Sequence, residues 1–253
     1  MKQGRIFHNG SIQDVCEEQG KVKLASGLLL EETQVQWLPP IEASTIFALG
    51  LNYADHAAEL AFKAPDKPLV FLKGANAITG HRATTHRPAD VTYMHYECEL
   101  AVVIGKQGKN IRREDAYDYV AGYTIANDYA FRDYLENYYR PNLRVKNRDH
   151  CTPLGPWLVD RDDIEDPMNL SLSTYINGEK TQFGSTKDMV FDIPELIVYL
   201  SEFMTLNPGD IILTGTPTGI ADTKVGDVIT TEIEGLGQLV NTVVDSETWH
   251  ASN

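Results

Sequence analysis

Glu97 and Glu99 are the residues in this chain best placed to do chemistry. Tyr96-Glu97-Cys98-Glu99 leads directly into the apolar run at 100–104. In an extended strand, residues i and i+2 share a face, so the two glutamates project together while Tyr96 and Cys98 take the other side. Paired carboxylates on a buried strand repel each other and lose solvation. A divalent cation between them relieves both penalties, and an all-oxygen ligand set suits Mg²⁺, Mn²⁺ or Ca²⁺. An isolated Glu-x-Glu is more often the solvated face of a strand, so a third ligand is needed. Asp128, in Ala126-Asn127-Asp128 at the end of the strand-like run 123–126, could supply it. Spacing alone does not show that it converges on the glutamates.

Three further features carry possible chemistry. His56 and Glu59 are three residues apart in a stretch of helix formers, which puts both on one face. A carboxylate that orients an imidazole is a general acid–base arrangement, although the same spacing also describes an ordinary surface pair. The segment 211–219, Ile-Ile-Leu-Thr-Gly-Thr-Pro-Thr-Gly, reads as a strand entering a loop that offers backbone N–H groups and hydroxyls to an oxyanion. It lacks the Lys-Ser/Thr ending of a phosphate loop. Finally, Arg140, Arg144, Lys146 and Arg148 place four cations within nine residues. They form either a solvated basic turn or an anion site for a carboxylate ligand.

The elements that must position these residues are mostly strands. Short strands with turns fill residues 1–40, with His8-Asn9-Gly10 as a hairpin turn, and Pro39-Pro40 then marks a boundary near residue 41. The spacing predicts strands at 46–49, 69–73, 100–104, 123–126, 170–176, 211–214 and 228–233. It predicts helices at 52–62, 115–120, 131–139 and 193–203, the last strongly amphipathic through Ile193, Leu196, Ile197 and Leu200. Strands outnumber helices and do not alternate with them, so an α+β, mainly-β architecture is expected. The domain reading is a small β-rich segment at 1–41 followed by a catalytic domain at 42–253.

Composition sets the outer limits. A net charge of −14 argues against nucleic acid as a partner. No apolar run approaches the roughly 20 residues of a membrane span, and the opening MKQGRIFHNG is too polar for a signal peptide. Three cysteines without paired spacing indicate a reducing compartment, so a cytoplasmic enzyme is expected.

Taken in order, these pieces resemble the fumarylacetoacetate hydrolase superfamily over roughly residues 44–245. They are Gly50-Leu51-Asn52-Tyr53-Ala54-Asp55-His56-Ala57-Ala58-Glu59, Phe71-Leu72-Lys73, Tyr96-Glu97-Cys98-Glu99-Leu100, Asn127-Asp128 with Arg132-Asp133, and Lys146 with Asp149. Pro153-Leu154-Gly155-Pro156-Trp157 and Leu213-Thr214-Gly215-Thr216-Pro217 complete the series. The resemblance implies a β-rich α+β roll or distorted barrel with a few helices, generally homodimeric. It implies Glu97, Glu99 and Asp128 as ligands for Mg²⁺ or Mn²⁺, His56 and Glu59 as an acid–base dyad on a lid, and Lys146 as the active-site lysine. Lys73, Arg132 and Thr216 are implied as substrate contacts.

The stretch from Asp133 to Lys146 resembles the homoprotocatechuate (4-hydroxyphenylacetate) branch of that family. Its members isomerise 2-hydroxyhepta-2,4-diene-1,7-dioate, decarboxylate 5-oxopent-3-ene-1,2,5-tricarboxylate, or do both, through the metal-chelated enolate of a 2-oxo acid. Arg140 and Arg144 are then candidates for the distal carboxylate of a dioate, because a guanidinium binds carboxylates bidentately. Tyr129-Ala130-Phe131 stand where the family usually has smaller residues, which predicts a narrower pocket near the metal. Two alternatives stay open at this point: hydrolysis of a C–C bond in an acylpyruvate, and a Ca²⁺-stabilised binding protein whose carboxylates are structural.

Overall fold

The computed structural model describes residues 1–60, 65–135 and 142–246. Its centre is the strand Cys98–Ile104, in which every residue is buried, as a continuous apolar run requires. Antiparallel neighbours flank it: Val120–Asn127 on one side and Ile211–Leu213 on the other. Beyond Ile211–Leu213 the sheet continues through the parallel strand Ile46–Gly50 to the edge strand Leu69–Lys73. Beyond Val120–Asn127 it passes through Leu158–Asp160 to Lys2–His8, so the amino-terminal strands extend the same sheet. They also pack a small core of their own from Ile6, Val15, Val22, Leu24 and Trp37.

A second sheet runs in the order Glu179–Ser185, Ser171–Ile176, Val228–Ile233, Gly237–Asp245, Thr84–Arg87. Both hairpin turns expected from Asn-Gly pairs are present, with positive φ at Asn9 and Gly10 and at Asn177 and Gly178. The strand order of the large sheet is an open path. The α+β, mainly-β roll is therefore present, but it does not close into a barrel.

Helix Ile193–Phe203 buries Ile193, Leu196, Ile197 and Leu200 in the main core. Its start is fixed by Asp192, whose side chain accepts the Glu195 N–H at 2.9 Å, and by Pro194 in the first turn. Two helix expectations need correction. Residues 113–119 form 3₁₀ turns. The predicted helix at 131–139 is, in its described part, a short strand Ala130–Phe131 followed by a 3₁₀ turn Arg132–Tyr134. Tertiary pairing decides the second case: Ala130 and Phe131 bond antiparallel to His95 and Met94, and Asp133 caps the amides of Thr92 and Tyr93. The helix expected at 52–62 is seen over Ala54–Glu59.

Candidate active site

Strand register brings the three carboxylates together. Cys98 pairs with Asn127, the Asp128 N–H donates to the Glu97 carbonyl at 2.9 Å, and Asn127 Oδ1 accepts the Glu97 N–H at 3.0 Å. Asp128 therefore emerges beside the two glutamates. Carboxylate oxygens of Glu97, Glu99 and Asp128 all lie within 4.8 Å of one another, and all three residues are buried. One Glu99 oxygen accepts the Gly215 N–H at 2.7 Å. The other, Oε1, is buried with no hydrogen-bond partner. Gly215 has φ +89 and a Cβ there would meet Asn52, so this close approach of backbone to carboxylate depends on glycine. An orphaned carboxylate oxygen facing two other carboxylates fits an oxygen-liganded divalent cation. The residues present suit the group the sequence implied.

Two lysines offset the charge. Lys73 Nζ lies 2.5 Å from Asp128 Oδ1 and also donates to the Lys146 carbonyl. Lys146 Nζ lies 2.5 Å from Glu97 Oε2 and 3.0 Å from Asp128 Oδ2. Burial works against the charge on Lys146, but Asp128 and Glu97 outweigh it and raise its pKa above the ordinary value. Burial likewise pushes Glu97 up, yet Lys146 and Arg132 hold it below the carboxylate range. Glu99 differs: burial, then the neighbouring Asp128 and Glu97, push its carboxyl well up. The two glutamates are thus not equivalent, and Glu99 is the one that needs a cation in order to ionise.

A cavity of about 100 Å³, open to solvent, is lined by His56, Glu97, Arg132, Lys146 and Thr216 among apolar walls that include Leu69 and Phe71. His56 is buried, with Nδ1 3.0 Å from Glu59 Oε2. The other Glu59 oxygen accepts the Gly219 N–H at 3.0 Å, tying the dyad to the loop that carries Thr216. Thr216 Oγ1 accepts from Gln182 at 3.0 Å.

The rest of the basic segment behaves otherwise. Arg144 is exposed, stacks its guanidinium 3.9 Å from the Tyr134 ring centroid, and does not line the cavity. Arg148 stacks against Phe131 and Tyr134, while Arg140 lies outside the described residues. Nor do Tyr129, Ala130 and Phe131 narrow the cavity. They pack in a separate core, and the Tyr129 hydroxyl accepts from Asn241 at 2.8 Å. Sequence reasoning missed His95, which is fully buried and accepts from Arg132 Nε at 2.6 Å. Burial, then the Arg132 and Lys146 cations, holds it well below the ordinary histidine range. Its i−2 relation to Glu97 was the available signal.

Residues 45–244 match the family described as Fumarylacetoacetate (FAA) hydrolase C-terminal. The chain belongs to the fumarylacetoacetate hydrolase family. Among curated members, it is 60% identical over 209 residues to the 4-hydroxyphenylacetate degradation bifunctional isomerase/decarboxylase of Escherichia coli. That match covers 83% of this chain and 49% of the relative, so the chain spans about half the length of the curated relative it matches. Two solved members of the family superpose over nearly the whole chain. The 5-carboxymethyl-2-hydroxymuconate delta-isomerase of Mycobacterium smegmatis does so with TM-score 0.86 and 38% identity, covering 97% of this chain and 99% of that one. The 2-hydroxyhepta-2,4-diene-1,7-dioate isomerase of Mycobacterium marinum does so with TM-score 0.85 and 33% identity, at the same coverage.

Proposed function

We propose that the protein isomerises 2-hydroxyhepta-2,4-diene-1,7-dioate, decarboxylates 5-oxopent-3-ene-1,2,5-tricarboxylate, or does both, in aromatic catabolism. The observation that carries this reading is the cluster of three buried carboxylates that reaches, through Glu97, a cavity also lined by Lys146, Arg132 and His56 of the His56–Glu59 dyad. Glu97, Glu99 and Asp128 would hold Mg²⁺ or Mn²⁺. When bound, such a cation supplies Lewis-acid stabilisation of negative charge that develops on a 2-oxo acid. The chain's own groups do the rest. Glu59 engages Nδ1 of His56 and leaves Nε2 as the atom that gives or takes the migrating proton. Lys146 Nζ, held against Glu97 and Asp128, sets positive charge beside the place where negative charge grows. Thr216 and Arg132 on the cavity wall are the carboxylate contacts, and the apolar walls suit a conjugated carbon chain.

The reading includes a homodimer in a reducing, cytoplasmic setting. The edge strand Leu69–Lys73 exposes Leu69 and Leu72, and Cys16, Cys98 and Cys151 are free. Sedimentation should then give about twice the chain mass of 28.2 kDa. Purified protein with Mg²⁺ and each substrate tests the chemistry. Loss of diene absorbance without release of two acids supports isomerisation, CO₂ release supports decarboxylation, and EDTA should abolish either. Turnover of acylpyruvates in place of both would overturn the proposal in favour of hydrolysis.

A further inference from the structure

His95 sits two residues before Glu97, fully buried, and the chemistry above gives it no task. Its hydrogen bonds fix its form. Arg132 Nε always carries a proton, so its 2.6 Å contact with His95 Nε2 requires a lone pair on that nitrogen. The ring proton then resides on Nδ1, where the Tyr96 carbonyl accepts it at 3.1 Å. One neutral tautomer satisfies both nitrogens, whereas an imidazolium could not accept from Arg132.

A guanidinium is usually fixed by carboxylates, which cancel its charge as they orient it. Here the Nε end is fixed by a neutral acceptor. The other contact, from NH2 to Glu97 Oε1 at 3.3 Å, goes to a carboxylate that also holds Lys146 at 2.5 Å. Neighbouring Asp133 directs its carboxylate to the backbone N–H groups of Thr92 and Tyr93, at 3.0 and 2.9 Å. The Arg132 N–H donates to the Tyr93 carbonyl at 3.0 Å and Ala130 pairs with His95, so the backbone fixes both partners. Among the described residues, the cations lining the cavity are Lys146 and Arg132, and Lys146 is engaged by Glu97 and Asp128. Arg132 reaches the wall with Glu97 Oε1, at 3.3 Å, as its one carboxylate contact among the described residues, and Lys146 sits closer to the same carboxylate.

We propose that His95 is a positioning residue that holds Arg132 through a neutral hydrogen bond, leaving the guanidinium charge for the second carboxylate of a dicarboxylate ligand. The proposal deepens the functional reading above and rests on a 2-oxo dicarboxylate occupying this cavity. It also assigns the task expected of Arg144, which does not line the cavity, to a different arginine. An acidic acceptor at position 95 would hold Arg132 equally well but neutralise it.

Calorimetric binding of 2-oxoheptanedioate and 2-oxoheptanoate to the Mg²⁺-loaded protein tests this, because both ligands present the same 2-oxo acid head and differ only at the far end. The wild type should prefer the dioate by about tenfold or more, the range expected of one charge-assisted hydrogen bond. His95→Asn, which keeps a neutral acceptor, should retain most of that preference. His95→Asp should bring the ratio close to one while leaving the monoacid's affinity nearly unchanged. Arg132→Gln should lose the preference as well, and it covers the case in which His95→Asp does not fold. No preference in the wild type, a preference that survives in Arg132→Gln, or equal weakening of both ligands by both His95 variants would overturn the proposal. If the wild type binds the dioate preferentially yet turns over neither substrate, the functional reading fails and the role of His95 stands.

Discussion

Glu99 is the residue whose surroundings are least comfortable without a cation, since its Oε1 is buried and unpartnered and burial with two acidic neighbours raises its pKa. A carboxyl whose folded pKa lies above its ordinary value of 4.5 contributes stability below that pH and loses it as pH rises towards the folded value. The metal-free protein should therefore lose melting temperature as pH rises above about 5, where Mg²⁺ addition should raise it most. Glu99→Gln should flatten that pH dependence in the metal-free protein and remove most of the Mg²⁺-induced rise, as thermal melts at several pH values would show. His56→Ala should behave in the opposite way. Because His56 touches Glu59 and not the carboxylate cluster, its loss should leave the Mg²⁺ shift intact and lower kcat by about 10²–10⁴-fold, the usual range for a general acid–base group.

At the scale of elements, strand pairing places the ligands and helix packing supports the strands. The helix Ile193–Phe203 contributes four buried aliphatic residues to the core behind the central strand. Leu196→Ala should cost about 2–5 kcal/mol, from lost burial plus an unfilled cavity. Asp192→Ala removes the helix cap and also an ion pair with Arg113, so it should cost about 1–2 kcal/mol. Neither residue lines the cavity. Denaturant titrations should show both losses while KM stays unchanged, and a changed KM would mean that this helix is coupled to the site.

Across the whole molecule, the site joins two sheets. Asn127, whose side chain accepts the Glu97 N–H, also donates towards Thr231 and Asn241 at 3.4 Å each. Both of those residues belong to the second sheet. Asn241 in turn donates to the Tyr129 hydroxyl and to Thr85. Asn241→Leu should leave several of these buried groups unsatisfied, costing about 1–3 kcal/mol. It should also weaken Mg²⁺ binding from a distance, measurable by calorimetry, because the Glu97 backbone loses its support. Unchanged Mg²⁺ affinity in a destabilised Asn241→Leu protein would show that the network holds the sheets together without shaping the site.

The i, i+2 spacing of Glu97 and Glu99 ahead of the apolar run at 100–104 was enough to put the two on one face, and Asn-Gly pairs were enough to mark two hairpin turns, because both rest on local backbone geometry. The ordered motifs carried Asp128, Lys146 and the His56–Glu59 dyad by resemblance. The rest depended on contacts distant in sequence. Residues 131–134 have a helical composition, but Phe131 pairs with Met94 and Arg132–Tyr134 form a 3₁₀ turn. The basic run at 144–148 divides, with Lys146 turned to the carboxylates and Arg144 and Arg148 stacked on aromatic rings. Arg132 is held at Nε by His95 Nε2, thirty-seven positions earlier in the chain. Only the tertiary structure could decide these points, since each is a choice of partner among residues far apart along the chain, and spacing constrains direction but not partner.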